Sequence, residues 1–575
     1  MPDDGNILNP DPNPFIGDIT LADVVERLAA DEGLTPERRR DLLSAVRRVG
    51  ALLDRPLSAL PAHLADLKPG LEGINPARAG ITEKTWQNLR SNLLVALRHL
   101  GFARSPALHQ APLTAAWQEL RDKLHRGSKF GHLNRFLRFC SAQGIAPGDV
   151  EDRTVDMFVE ALRIGTFKTK KQIRDLHRRT TGLWNEAADI IDEWPPTRLS
   201  VPDHRKPPAS LPLSAFPPSF GEDVERHLKW LAGEDLFAEH PPPKACRAGT
   251  IRLRRQHIVL AASAYVHRGH DPSDLRSLAD LVAVQGVKEV MRDYIDKKDS
   301  EISQFTRNLC KALILIARHD IRVDAAELDA LKQIKRQLGS ERSGLTPKNR
   351  ETLRQFDDEA NCALLYNLPD AIITDALKRD TGGRHWAVQV QIALAIELLF
   401  NIPIRQENLI DLQLGRHLVR PGGDRGAWHL VLIEDETKND EPAEFQLSER
   451  LAAILELYLS RFHLRLAGGD NPYLFPGQKG PCKTQATLSG QIKATIYKRT
   501  GLKITGHQFR HLAAKTLLDA EPANYQGASV ILGHKNLKTT INYYSGLRTK
   551  QAGQHFSEII ERERSRPSSR HRRKP

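Results

Sequence analysis

Cysteine is scarce: the 575 residues hold five, Cys140, Cys246, Cys310, Cys362 and Cys482. The nearest two, Cys310 and Cys362, stand 52 positions apart, so no CxxC-type metal or redox motif exists. An odd, scattered set of this kind reads as reduced thiols of a cytoplasmic protein. Long apolar runs are missing too. Nothing approaches the ~18 consecutive apolar residues of a membrane span, so no membrane partner is expected. The first residues, Met1-Pro2-Asp3-Asp4-Gly5, are acidic and lead into no apolar stretch, which argues against a secretory signal.

What is present is charge. Hydrophobic residues make up 40% and charged residues 27%, ordinary for a globular protein, and the length implies two to four domains. The formal net charge is +13 and the pI about 9.4, a balance that favours polyanionic partners, DNA foremost. Arg562, Arg564, Arg566, Arg570, Arg572, Arg573 and Lys574 crowd the last stretch among Pro567, Ser568 and Ser569. Residues 561–575 are therefore expected to be a disordered basic tail, either solubilising or screening phosphates.

Residues 1–195 are expected to form a helical domain. From Thr82 to Leu100, for example, Trp86, Leu89, Leu93, Leu94 and Leu97 recur at helical spacing. Eight prolines between Pro195 and Pro218 make residues 196–218 a linker. A further helical region covers 219–349, broken at Pro241-Pro242-Pro243. Gly144-Ile145-Ala146-Pro147-Gly148-Asp149-Val150 matches Gly269-His270-Asp271-Pro272-Ser273-Asp274-Leu275 at an offset of 125. Both follow an amphipathic helix, so the match reads either as two related helical domains or as two helix joints using the same residues. From about 350 to 560 the texture changes. His385–Phe400 is a strongly apolar helix, Trp428–Ile433 a strand, Phe445–Leu447 its return, and helices follow. The expected fold is mainly α with one small antiparallel sheet.

That last region carries five short patterns in order: Ile404-Arg405-Gln406-Glu407-Asn408-Leu409, Thr437-Lys438, His507-Gln508-Phe509-Arg510-His511, Leu532-Gly533-His534, and Thr539-Thr540-Ile541-Asn542-Tyr543. Each is weak alone. Arg405 by itself reads as a surface arginine, His534 as a helix cap, and Tyr544 rivals Tyr543. Tyr458, Tyr497 and Tyr525 read as packing residues.

Taken together, the patterns resemble the tyrosine recombinase, or phage integrase, family. Its signature is an Arg, a hairpin Lys, His-x-x-Arg, Leu-Gly-His and a Tyr nine residues on. The resemblance covers residues 350–560 and fills all six positions with Arg405, Lys438, His507, Arg510, His534 and Tyr543. Asn408 departs from the family's usual acidic residue, and Ser545 stands where many members have histidine.

The resemblance implies a site-specific recombinase or integrase that cuts and rejoins double-stranded DNA through a 3′-phosphotyrosine, for integration, excision or transposition of a mobile element. Such chemistry needs an in-line nucleophile (Tyr543), paired guanidiniums on the phosphate (Arg405, Arg510) and a proton for the leaving oxygen (Lys438). His507 then assists proton transfer at Tyr543 and His534 bonds the phosphate. No cofactor or metal is required, because the arginines supply the electrostatics. The family architecture further implies a SAM-like core-binding domain at 219–349, with Arg252, Arg254 and Arg255 facing phosphates, and a homo-tetramer on paired sites joined through Gln551–Ile560. Accessory recombination proteins are possible partners, and residues 1–195 are either an arm-type DNA-binding module or a partner-binding one. The alternatives are a chromosome or plasmid resolvase, a topoisomerase-like relaxing enzyme, and a non-catalytic DNA-binding relative.

Overall fold

The structure is a computed structural model. It describes residues 19–103, 112–124, 129–203, 210–235, 237, 239–297, 301–340, 344–437, 441–521, 523–544 and 549–565. The chain divides into two compact units, Met1–His204 with Pro347–Pro575, and Arg205–Thr346.

The N-terminal part of the first unit contains two hydrophobic cores where the sequence suggested one domain. In the first, the Pro36–Leu52 helix buries Leu42, Val46 and Val49 against Val24, Leu28, Leu93 and Leu97. Thr35 caps that helix by accepting from the Arg38 amide, and Pro36 opens it, where its missing N–H costs nothing. The second core stacks Trp117, Phe136, Phe158 and Trp184, with Phe136 and Trp184 edge to face at 5.9 Å. Cations join the two. Lys68, Arg98 and Arg90 donate to the carbonyls of Arg163, Gly165 and Phe167, at and just beyond the end of the Asp152–Gly165 helix. Those carbonyls lack intrahelical partners and carry the negative end of the helix dipole, so cations suit them.

The linker starts later than the prolines suggest. Trp184 donates to Thr197 O at 2.9 Å, Asn185 pairs with Leu199 in both directions, and Ser200 bonds Asp152. Residues 197–200 therefore belong to the second core, because side chains of neighbouring helices satisfy their backbone.

In the second unit, Phe220, Ile258, Leu281, Val290, Leu313 and Leu331 share one core. The sequence match at offset 125 is also a match of geometry. Gly144 (φ 68°) and Gly269 (φ 93°) each end a helix in the left-handed region. Each is followed by a 3-10 turn, Pro147–Asp149 and Pro272–Asp274, and then by a buried residue, Val150 or Leu275. On the Ala248–His267 helix, Arg255 pairs with Glu225.

The C-terminal region begins at Pro347 rather than 350. Asn349, on the Pro347–Arg354 helix, bonds residues of the Gly506–Ala520 helix, so it belongs there and not with 219–349. The Arg384–Asn401 helix is apolar all round and packs on the helices Leu368–Arg379, Glu449–Tyr458, Gln485–Thr500 and Gly506–Ala520. The sheet has three antiparallel strands where the sequence suggested two: β1 (Leu418–Val419), β2 (His429–Leu432) and β3 (Ala443–Gln446), with Leu430 opposite both Leu418 and Phe445. β1 is two residues long, too short for a periodic signal. The final helix, Thr549–Arg564, takes in residues 561–564, which the sequence assigned to a disordered tail; Arg564 pairs with Glu561 at 2.8 Å one turn back. Tail residues 566–575 lie outside the described residues. Among the described residues, no helix is long and apolar enough to cross a membrane.

Candidate active site

The Gly506–Ala520 helix organises the site. Its first turn closes a capping box, in which Gln508 Oε1 accepts from the Thr505 amide at 2.9 Å. His507 and Arg510, three residues apart, share a helix face. Arg510 is buried at 7% exposure, and its guanidinium spans two loops by donating to Pro403 O and Leu532 O. Those carbonyls lie two residues before Arg405 and two before His534. Three of its five N–H groups are left for a ligand.

Five of the six signature residues line one cavity of about 370 Å³: Arg405, His507, Arg510, His534 and Tyr543, joined by His511, Lys535, Asn536, Thr539 and Tyr544. Arg405 is the N-cap of the short Gln406–Asp411 helix. His534 follows Gly533, whose φ of 56° turns the chain out of the Tyr525–Ile531 helix. Its Nδ1 shares a 2.8 Å hydrogen bond with the fully buried Thr540 hydroxyl, one turn before Tyr543 on the Leu537–Tyr544 helix. The nine-residue distance from His534 to Tyr543 thus corresponds to one tight turn and one short helix.

The two adjacent tyrosines have opposite surroundings. Tyr543 is 43% exposed and Tyr544 2%. A chain of hydrogen bonds fixes the Tyr544 oxygen. With Gln508 Oε1 held by the cap, Gln508 Nε2 donates to Asn349 Oδ1 at 3.1 Å. The Asn349 amide nitrogen then faces His511 Nε2 at 3.3 Å, which leaves His511 Nδ1–H to donate to the Tyr544 hydroxyl at 2.8 Å. Burial raises the Tyr544 pKa well above the ordinary tyrosine range. Tyr544 is a packed, proton-retaining phenol, and Tyr543 is the one the cavity can use.

Among the described residues, the cavity lining holds two arginines, a lysine and three histidines, and no carboxylate. Desolvation and the Arg405 charge push the Arg510 pKa down to about 10, so it stays charged at neutral pH. Desolvation, Arg510 and Arg405 lower the His534 pKa, and desolvation, His507, Arg510 and His534 push His511 down to about 4. Those two imidazoles are neutral donors and acceptors beside fixed positive charge. The arrangement suits a phosphate diester with its charged oxygens on the guanidiniums.

Lys438 and Ser545 lie outside the described residues. The root of the hairpin that carries Lys438 is well tied. Thr437 accepts from the Glu441 amide at 3.0 Å, and Asn408 Nδ2 donates to Glu436 O at 2.7 Å. The departure at Asn408 makes local sense, since an amide can donate to a carbonyl where a carboxylate would be repelled.

Sequence reasoning missed Gln406 and Gly506. Gln406 Oε1 accepts from Ser489 at 2.9 Å and Gln485 at 3.2 Å, holding the Arg405 turn against the Gln485–Thr500 helix. Its other end packs on Gly506, where a Cβ would lie 2.8 Å from Gln406 Cδ and closer still to Nε2. Gly506 is thus needed for close approach, a requirement that local sequence does not reveal. Tyr458 is buried as expected, but Tyr497 is 38% exposed, its carbonyl accepting from Asn75.

Residues 384–550 match the model of the phage integrase family. No curated protein matches the chain. Among solved structures it is similar to XerA recombinase (18% identity, 58% of this chain and 98% of that one, TM-score 0.25). It is also similar to XerH site-specific recombinase bound to its difH substrate (17%, 56% and 91%, TM-score 0.36). A third is the Tn1549 transposon integrase in complex with circular intermediate DNA (15%, 58% and 99%, TM-score 0.32).

Two outcomes follow from this geometry. Gly506→Ala overpacks Gln406 and should destabilise the chain by about 1–3 kcal/mol in denaturant melts. Adding Gln406→Ala should restore most of that; an unrepaired double variant would sink the close-approach account. The second concerns pH. The folded pKa of His511, about 4, lies below the ordinary imidazole value of 6.5, so between them the unfolded chain binds the extra proton. Its contribution to stability is present above pH ~6.5 and is lost as pH falls towards 4. Thermal melts should drop over that window and drop less steeply in His511→Gln; parallel curves would rule the mechanism out.

Proposed function

We propose that the chain, whose residues 384–550 match the phage integrase family, is a tyrosine recombinase whose six signature residues cut and rejoin duplex DNA during integration, excision or transposition of a mobile element. Tyr543 Oη attacks the scissile phosphorus in line, a P–O(tyrosine) bond forms, and the P–O5′ bond breaks. Arg405 and Arg510 hold the non-bridging oxygens with paired hydrogen bonds, each donor contributing roughly 10²–10³ in rate. His534, neutral and bonded to Thr540, adds a further bond to the phosphate. His507 takes the tyrosine proton, and Lys438 gives a proton to the departing 5′ oxygen. The 3′-phosphotyrosine keeps the bond energy, so a 5′-hydroxyl from a partner strand reverses the steps without ATP.

The observation that carries this reading is the pairing of an accessible Tyr543 with two arginines in a cavity without a carboxylate among the described residues, while Tyr544 is held by His511. A nicked suicide substrate carrying the cognate site tests it. Wild type and Tyr544→Phe should form a covalent 3′ adduct, and Tyr543→Phe should form none. An adduct that survives in Tyr543→Phe, or no adduct in wild type, would overturn the assignment.

The protein acts in the cytoplasm, in association with DNA. Residues 205–346 serve as its core-binding domain, and paired sites bring four copies together. The Thr549–Arg564 helix, with Phe556 exposed at 63%, supplies the contact between copies. Removing residues 547–575 should weaken pairing of two sites more than binding to one, as read by native gel shift. Equal loss of both would count against that role.

A further inference from the structure

The Pro36–Leu52 helix turns away from its core a face that the recombinase chemistry does not use. A groove of about 450 Å³ runs along it, lined by Arg39, Arg40, Arg47 and Arg48 with Leu43 and Ser44 among them. No carboxylate lines it, although the same helix carries Glu37 and Asp41. Its cations are all arginine: five arginines and no lysine occur from Pro36 to Leu52. Arg38 bonds Asn92 and Arg39 bonds Leu34 O. Arg40, Arg47 and Arg48 have no hydrogen-bond or ion-pair partner among the described residues.

Elsewhere in the same part of the chain, Lys68, Arg90 and Arg98 are spent on helix-end carbonyls. Three unpartnered guanidiniums within three turns repel one another and do nothing for the fold. They suit an extended anion with regularly spaced charges. Arg40 and Arg47 are seven residues apart, about 10 Å along the helix, close to the rise of three phosphates on one strand of DNA at about 3.4 Å each. Guanidinium also binds phosphate bidentately, which explains arginine in preference to lysine. The Ser44 hydroxyl adds a neutral donor between them.

We infer that this arginine groove is a second DNA contact, a sequence-independent grip on the sugar–phosphate backbone separate from the cleavage cavity. It rests on the proposed function only in choosing DNA over an acidic protein.

The test uses the full chain and a fluorescent 30-base-pair duplex of random sequence, with binding followed by anisotropy across a salt series. Each neutralised phosphate contributes about 0.9 to the slope of log K against log salt. Arg40→Ala/Arg47→Ala/Arg48→Ala should therefore reduce the slope by about 2.7, while the corresponding triple lysine variant keeps the slope and binds less tightly. Thermal melts should be unchanged, since these side chains are exposed. An unaltered slope in the alanine variant would overturn the inference. So would a variant that loses binding to a polyglutamate peptide but keeps the DNA slope, which would assign the groove to an acidic protein. The suicide-substrate assay separates the two claims: adduct formation in the alanine variant leaves the recombinase reading intact whatever the slope does.

Discussion

The site depends on where one guanidinium is put. Arg510 leaves the Gly506–Ala520 helix into the interior and spans the gap between Pro403 O and Leu532 O. Without it, the loop before Arg405 and the loop before His534 would have no common anchor, and both carbonyls would be buried unpaired at a cost of about 1–3 kcal/mol each. The same side chain sets the electrostatics. Together with desolvation its charge depresses both His534 and His511, and that of Arg405 adds to the effect at His534, so the imidazoles stay neutral beside the fixed positive charge. Structure and chemistry draw on a single residue, and its loss would not separate them.

Around that anchor, the protein assigns different work to chemically identical groups. Tyr543 and Tyr544 are neighbours in sequence, yet the first faces the cavity and the second is held by His511 in a bond whose direction is set three residues away, at the capping box of Thr505 and Gln508. The arginines divide similarly. Arg90 and Arg98 complete the end of a helix, Arg510 organises a cavity, and Arg40, Arg47 and Arg48 face outward unpaired. A net charge of +13 describes none of these roles, because what a cation does depends on its acceptors.

Much of the site was legible in the sequence because its parts have local signatures. A His-x-x-Arg on a helix shares one face by helical period alone, and a glycine before His534 marks a chain reversal. The offset match at Gly144 and Gly269 was legible for the same reason, since a left-handed glycine and a Pro-x-Asp turn are local devices. What escaped were contacts between distant segments. Asn349 looked like the end of one domain but bonds into the Gly506–Ala520 helix, and the space at Gly506 exists only because Gln406, a hundred residues earlier, fills it. The extension of the second core to residue 200 was hidden too, because prolines there say only that a helix stops.

The sequence by itself determined which residue types occur in which order, their spacing along helices, and a fold mainly of amphipathic helices, all consequences of short-range periodicity and side-chain chemistry. Tertiary structure alone decided which tyrosine is accessible, which histidines are neutral, and that Arg405, Arg510 and His534 share one cavity. The physical reason is that burial, desolvation and hydrogen-bond direction belong to the neighbours a residue acquires on folding. Those neighbours come from stretches of chain that no local pattern connects.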